Sequence, residues 1–138
     1  DYGPANQSVP NLLAAQSFIQ LPYDIQASTI IYWRTGNAFN PRGVTDQDGD
    51  GLVDQRDTSV SRNSFRTKPF LNFDLRLEKT FQIIEGQTLA IMVEAFNLVN
   101  HANVRNVNAV SGSSFGVPNN FFPGREIQIG LRYTFGGN

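Results

Sequence analysis

The residues best suited to chemistry lie together in Asp46-Gln47-Asp48-Gly49-Asp50-Gly51-Leu52-Val53-Asp54, with Asp57 close behind. Counted from Asp46, carboxylates stand at positions one, three, five, nine and twelve of a calcium loop, and glycine stands at six, where such a loop turns sharply. Ca2+ takes about six to eight oxygens at flexible geometry. Asp46, Asp48, Asp50, Asp54 and Asp57, with the Leu52 carbonyl at position seven, are therefore the candidate metal ligands. Position twelve carries Asp where an EF-hand has a longer bidentate Glu, and no amphipathic helices flank the loop. The expected affinity is weak, about 10⁻⁴ to 10⁻³ M, and the expected role is to order an external loop. The competing reading is a solvated, turn-rich loop built from Asp and Gly.

Elsewhere the chemical inventory is thin. His101 is the only histidine, and no serine, second histidine or carboxylate stands at a spacing that would make it catalytic. Cysteine is absent, which removes disulfides, thiolate zinc sites and thiol nucleophiles together. No nucleophile elbow, phosphate-cradling glycine loop or paired-histidine metal motif occurs, so no catalytic residues are expected and an enzyme is not. Eleven Lys and Arg against twelve Asp and Glu leave a formal charge of −1, with no basic footprint for nucleic acid.

The elements that must carry these residues read as strands. Apolar residues make up 40 % of the chain and charged residues 17 %, against roughly 25 % charged in an average soluble protein. No apolar run is long enough for a transmembrane helix, yet period-two alternation recurs over segments of about ten residues. In Glu126 to Phe135, Ile127, Ile129, Leu131, Tyr133 and Phe135 share one face, while Glu126, Gln128, Gly130, Arg132 and Thr134 share the other. Ten residues at about 3.3 Å each, tilted by roughly 45°, rise about 23 Å, close to the apolar band of an outer-membrane barrel. The pattern predicts five strands, over 13–21, 25–34, 70–81, 88–99 and 125–135.

Connections alternate between tight turns, at Pro22-Tyr23-Asp24 and Ile83 to Gln87, and long loops over 36–67 and 100–123. Outer-membrane barrels have this asymmetry, with short periplasmic turns and long external loops. A turn centred on Glu85 would set Leu77 opposite Val93 and Arg76 opposite Glu94, which predicts a lumenal ion pair. Trp33, Tyr32, Phe96, Tyr133 and Phe135 fall near strand ends, as girdle aromatics do. The adjacent aromatics of Asn120-Phe121-Phe122-Pro123-Gly124-Arg125 could contact a ligand or pack on the rim, and packing is the reading favoured. The fold class is thus all-β, an antiparallel transmembrane β-barrel segment. Five strands fall short of the eight in the smallest such barrels, so they must pair with strands from elsewhere. The opening Asp1-Tyr2-Gly3-Pro4, with neither a start Met nor a signal peptide, likewise reads as a piece of something longer or a processed form.

Gln128-x-Gly130-x-x-Tyr133-x-Phe135 resembles the β-signal by which the barrel-assembly machinery recognises a last strand; here Gly136-Gly137-Asn138 follow the aromatic that ends many such signals. Further resemblance lies in Arg62-Asn63-Ser64, in Asn72-Phe73-Asp74-Leu75-Arg76-Leu77-Glu78-Lys79-Thr80-Phe81, in Glu94-Ala95-Phe96-Asn97-Leu98-Val99-Asn100-His101, and in Arg125 to Phe135. With the aspartate-rich loop, these segments look like the carboxy-terminal barrel of Oar-like TonB-dependent receptors, which carry an amino-terminal carboxypeptidase-regulatory-like domain. The resemblance covers roughly residues 20–135. It implies a 22-stranded barrel in the bacterial outer membrane, contact with lipid, a plug that fills the rest of the barrel, and transport energised by a TonB complex through an amino-terminal part not in this sequence. The alternatives are another outer-membrane barrel of porin type and a soluble extracellular calcium-binding β-module.

Overall fold

A computed structural model describes residues 3–46, 49–53 and 55–136. Its described elements are nine strands: β1 (Leu12–Leu21), β2 (Ile25–Arg34), β3 (Ala38–Phe39), β4 (Phe65–Arg66), β5 (Phe70–Ile84), β6 (Gln87–Phe96), β7 (Val104–Val107), β8 (Pro118–Phe121) and β9 (Glu126–Phe135). The five long strands form one antiparallel sheet in the order β1-β2-β5-β6-β9, an up-and-down meander in which sequence neighbours pair. β1 and β9 are its two edges.

Two compact units emerge from the packing. One comprises Leu13–Tyr32, Leu71–His101 and Pro123–Asn138, which holds most of the large sheet. The other comprises Asp1–Leu12, Trp33–Phe70 and Ala102–Phe122, which holds the two long loops.

Within the sheet unit, the turn chemistry is local. Glu85 and Gly86 connect β5 to β6, with Gly86 at φ 72° and a register shift between Gln82 and Ile84. A left-handed glycine beside a bulge lets a short turn follow the twist of the strands. The shift carries β5 on to Ile84, past the end expected at residue 81. At the other tight turn, Tyr23 and Asp24 both take left-handed φ values of 66° and 56°, a conformation that costs a non-glycine residue about 1–2 kcal/mol. Thr80 N donates to Asp24 O and Lys79 Nζ to Tyr23 O, at 3.2 and 3.0 Å, tying this turn to β5.

β6 stops at Phe96, short of the 99 expected, because Asn97 turns the chain at φ 47°. Asn97 is only 3 % exposed. Its N–H donates to Asp74 Oδ1, its Oδ1 accepts from His101 N, and its Nδ2 donates to His101 O. Asn and Asp side chains close turns of this kind by replacing backbone partners.

The long loops are not structureless. In the loop unit β3 pairs with β4, Ala38 opposite Arg66 and Phe39 opposite Phe65, and β7 pairs with β8. Phe39, Phe65 and Phe115 converge with ring centroids 4.9 to 6.0 Å apart, drawing one aromatic cluster from both loops. Phe122 meets Phe70 edge-on at 5.2 Å within the loop unit, whereas Phe121 stays exposed. Gly36 is obligatory at its position, since a Cβ there would lie 1.7 Å from Thr67 O.

Candidate functional site

The pairing of β5, β6 and β9 arranges side chains into rows that cross three strands. One face carries Arg76–Glu94–Gln128, then Glu78–Met92–Gly130, then Thr80–Ala90–Arg132. The opposite face carries Leu75–Ala95–Ile127, Leu77–Val93–Ile129 and Phe81–Leu89–Tyr133. The register expected from the turn, Leu77 opposite Val93 and Arg76 opposite Glu94, is the register found. Period-two alternation on three strands in register is what sorts Arg76, Glu78, Glu94, Gln128 and Arg132 to one side.

The apolar face is open. Ile127, Ile129, Leu131 and Phe135 are 64, 73, 70 and 72 % exposed, on strands long enough to cross a bilayer. A contiguous apolar surface of this size is a hazard in water and a requirement in lipid. Lys79 is the exception on that face, in a row with Ile91 and Leu131. Its ammonium reaches back to the Tyr23 carbonyl and lies 5.2 Å from the centroid of Phe81 and 5.9 Å from that of Tyr23. Such snorkelling keeps a lysine charge at the lipid–water boundary, where its cost falls to about 0–1 kcal/mol.

The polar face is organised around Glu78, which is 7 % exposed. Arg76 Nη2 donates to Glu78 Oε2 at 2.6 Å, and Arg132 Nη2 forms an ion pair with Glu78 Oε1. Arg76 also reaches Glu94 Oε1 at 3.5 Å, the pair expected from the sequence, while Glu94 Oε2 accepts from Gln128 Nε2. One carboxylate on β5 thus holds β9 across the intervening β6. The sequence pattern gave no sign of Glu78 as this hub, because Arg132 lies 54 residues away and two strands over.

Gln128, Gly130, Tyr133 and Phe135, which the sequence suggests as an assembly signal, occupy defined places on the same strands. Gln128 caps Glu94. Gly130 faces Met92, whose Cε would lie 3.3 Å from a Cβ at position 130, so the missing side chain leaves room for Met92, whose Sδ accepts from Arg76 Nη2 at 3.0 Å. Tyr133 Oη donates to Gln87 Oε1, and its ring stacks on Phe135 with centroids 5.8 Å apart.

In the aspartate-rich loop, Asp46 Oδ1 accepts from Gly49 N at 2.6 Å and Oδ2 from Gly51 N at 2.9 Å, while Asp50 Oδ1 accepts from Leu52 N. Gly49 and Gly51 are left-handed at φ 78° and 86°, consistent with the sharp turn expected at position six. Asp57 Oδ1 accepts from both the N–H and the hydroxyl of Ser59, and its Oδ2 accepts from Ser111 Oγ at 3.4 Å. These hydrogen bonds, led by that from the Ser59 hydroxyl, hold the Asp57 carboxyl below its ordinary pKa. Asp48 and Asp54 lie outside the described residues, and Leu52 is 57 % exposed. Among the described residues no three His, Cys, Asp or Glu side chains gather closely enough to hold a metal. The described carboxylates Asp46, Asp50 and Asp57 each bind neighbouring backbone N–H groups.

A family model described as outer membrane beta barrel domain matches residues 4–128. The chain belongs to that family. The barrel domain accordingly resides in the bacterial outer membrane, in association with its lipid. No curated protein and no solved structure matches it. The five-stranded meander supplies part of a barrel wall, and its edge strands β1 and β9 present unpaired backbone groups of the kind that further strands complete.

Proposed function

We propose that the barrel domain is the carboxy-terminal wall of an Oar-like TonB-dependent receptor, with the tight turns in the periplasm and the long loops outside the cell. The supporting observation is one node in the sheet unit where the three barrel segments of the resemblance meet. Asp74 accepts from Asn97 N, Asn97 donates to Pro123 O, and Asn100 Oδ1 accepts from Arg125 N at 3.0 Å. The shared residues thus serve one structural purpose, fixing where β6 ends and where the chain re-enters the wall as β9.

In this reading the chain is non-catalytic. It contributes wall and outer surface, β9 is the strand handed to the barrel-assembly machinery, and a plug and a TonB-contacting segment belong to other parts of the polypeptide. The test is ligand uptake by cells carrying the full gene, with and without a functional TonB complex. Uptake that stops when TonB is lost is the expected result; uptake that continues unchanged overturns the receptor reading in favour of a porin.

Ca2+ in the aspartate-rich loop belongs to the same proposal, supported by the carboxylate spacing and by the glycine at position six. Isothermal titration of the intact receptor is expected to give a Kd of about 10⁻⁴ to 10⁻³ M, and no calcium-dependent heat at millimolar metal removes it.

A further inference from the structure

The neck of the aspartate-rich loop is a clasp of three extended segments with Arg42 in the middle. Arg42 is bridged antiparallel to Arg56 on one side and parallel to Val110, in the second long loop, on the other. Successive peptide groups of an extended segment point to opposite edges. Accordingly, Pro41 O accepts from Asp57 N and Gly43 N donates to Gln55 O, both at 3.0 Å. In the other direction, Arg42 N donates to Ala109 O at 2.7 Å and Arg42 O accepts from Ser111 N at 3.0 Å. Both edges of the middle segment are thus in use, one for each loop. A side-chain bond joins the two outer segments as well, since Ser111 Oγ donates to Asp57 Oδ2 at 3.4 Å.

Two further sets of contacts tie the same pieces together away from the clasp. The second loop folds back on itself, with Asn108 N donating to Val117 O at 2.9 Å and Gly116 N to Asn108 O at 2.8 Å. That turn delivers Phe115 to Phe39 and Phe65 of the first loop, with centroids 5.8 and 4.9 Å away. The leading segment is bonded to the first loop in turn. Gln7 N donates to Ala38 O at 3.2 Å and Ala38 N to Ser8 O at 3.4 Å, while the Nδ2 of buried Asn63 donates to Pro4 O and to Asn6 Oδ1.

Loops that share no contacts open one at a time, whereas contacts that share residues form and break together. Here the sharing is close. Releasing the second loop would strip one edge of the Arg42 segment and uncover Phe39 and Phe65, and Phe39 adjoins Ala38, where the leading segment is held. We propose that the leading segment and the two long loops open and close as one cooperative unit, latched at the Arg42 clasp and the Phe115 cluster, so that order imposed on either loop reaches the other. A molecule bound to one loop alone then suppresses the opening of both, because it stabilises the closed state they share. The coupling holds whatever the barrel transports and whether or not the aspartate-rich loop takes up Ca2+.

The experiment is hydrogen exchange of the full-length barrel in detergent, read at single amides by mass spectrometry with electron-transfer fragmentation, under conditions where closing outpaces exchange. Phe115→Ala leaves every backbone bond of the clasp in place and removes only the aromatic contacts of the second loop. It is expected to speed exchange at Ser111 by roughly 5- to 150-fold, the scale of two lost aromatic pairs. The same factor is expected at Gly43 and Asp57, across the clasp, and at Gln7 in the leading segment. Thr80 and Leu98, whose amides are bonded in the sheet unit, are expected to keep their rates. Phe115→Leu, which keeps apolar bulk, is expected to give a smaller factor shared by the same amides, and heat-modifiable gel migration checks that both variants fold. Faster exchange at Ser111 with unchanged rates at Gly43 and Asp57 overturns the proposal, since the loops then open separately. An equal rise at Thr80 and Leu98 overturns it too, by making the opening that of the whole barrel, and so does an unchanged rate at every amide.

Discussion

Adjacent residues of β9 should respond in opposite ways to the same new charge. Ile129 stands mid-strand in the row Leu77–Val93–Ile129 and is 73 % exposed on the apolar face, whereas Gln128 faces Glu94 on the polar side. Arginine on the lipid face near the midplane costs about 2–4 kcal/mol. Ile129→Arg should therefore shift the folding equilibrium by roughly 30- to 900-fold, at about 1.4 kcal/mol per factor of ten. Gln128→Arg places the same cation beside a carboxylate in the lumen, and its cost should lie within about 0.5 kcal/mol of zero. The assay is reversible guanidinium unfolding of the full-length barrel in lipid vesicles, read by heat-modifiable migration. If Gln128→Arg proved as damaging as Ile129→Arg, the assignment of faces would be wrong, and with it the register that places every side chain of β5, β6 and β9.

Three further outcomes follow from the same geometry. Gly130→Leu should push on Met92 and cost about 1–3 kcal/mol by overpacking, while Gly130→Ala should cost much less because the Met92 methyl end can shift; equal losses in unfolding midpoint would refute this. Asn97→Ala removes the side chain that serves His101 N and O and leaves a left-handed non-glycine residue, so it should cost about 1–3 kcal/mol, and Asn97→Gly should recover the strain part only. The bonds from Asp57 to Ser59 and Ser111 should depend on pH: because the folded pKa is depressed, their stabilisation is fully present above the unfolded value of 3.8 and is lost as pH falls through the lower folded value. Protection of the Ser59 amide against hydrogen exchange should fade in that acid window, and Asp57→Asn should remove the pH dependence; an unchanged profile in the variant would assign it to another group.

How much of this was legible in advance differs by element. The alternation in Leu71 to Glu78 and Glu126 to Phe135, the two tight turns and the Arg76–Glu94 pairing could be read directly, because a strand's two faces and a hairpin's register depend on residues within about a dozen positions of each other. The assignment to a membrane barrel rested on the same local property, repeated at the length a bilayer demands. Strand ends were less readable. The bulge near Ile84 and the left-handed Asn97 move them by about three residues, and both arise from how one residue's dihedrals are held by partners.

What the tertiary structure alone decided is longer in range. The loops expected over 36–67 and 100–123 carry their own paired strands, since Ala38 finds Arg66 and Phe115 finds Phe39 and Phe65. Glu78 becomes a hub only once β9 lies two strands away with Gly130 leaving space between. Lys79 stands on the lipid face and escapes its cost only because the Tyr23 turn lies within reach. Arg42 and Arg56 face one another only because the aspartate-rich loop closes at its neck. Each of these rests on contacts between residues far apart in the chain, which leave no periodicity in the sequence because either partner could equally serve a solvated loop or an ordinary strand.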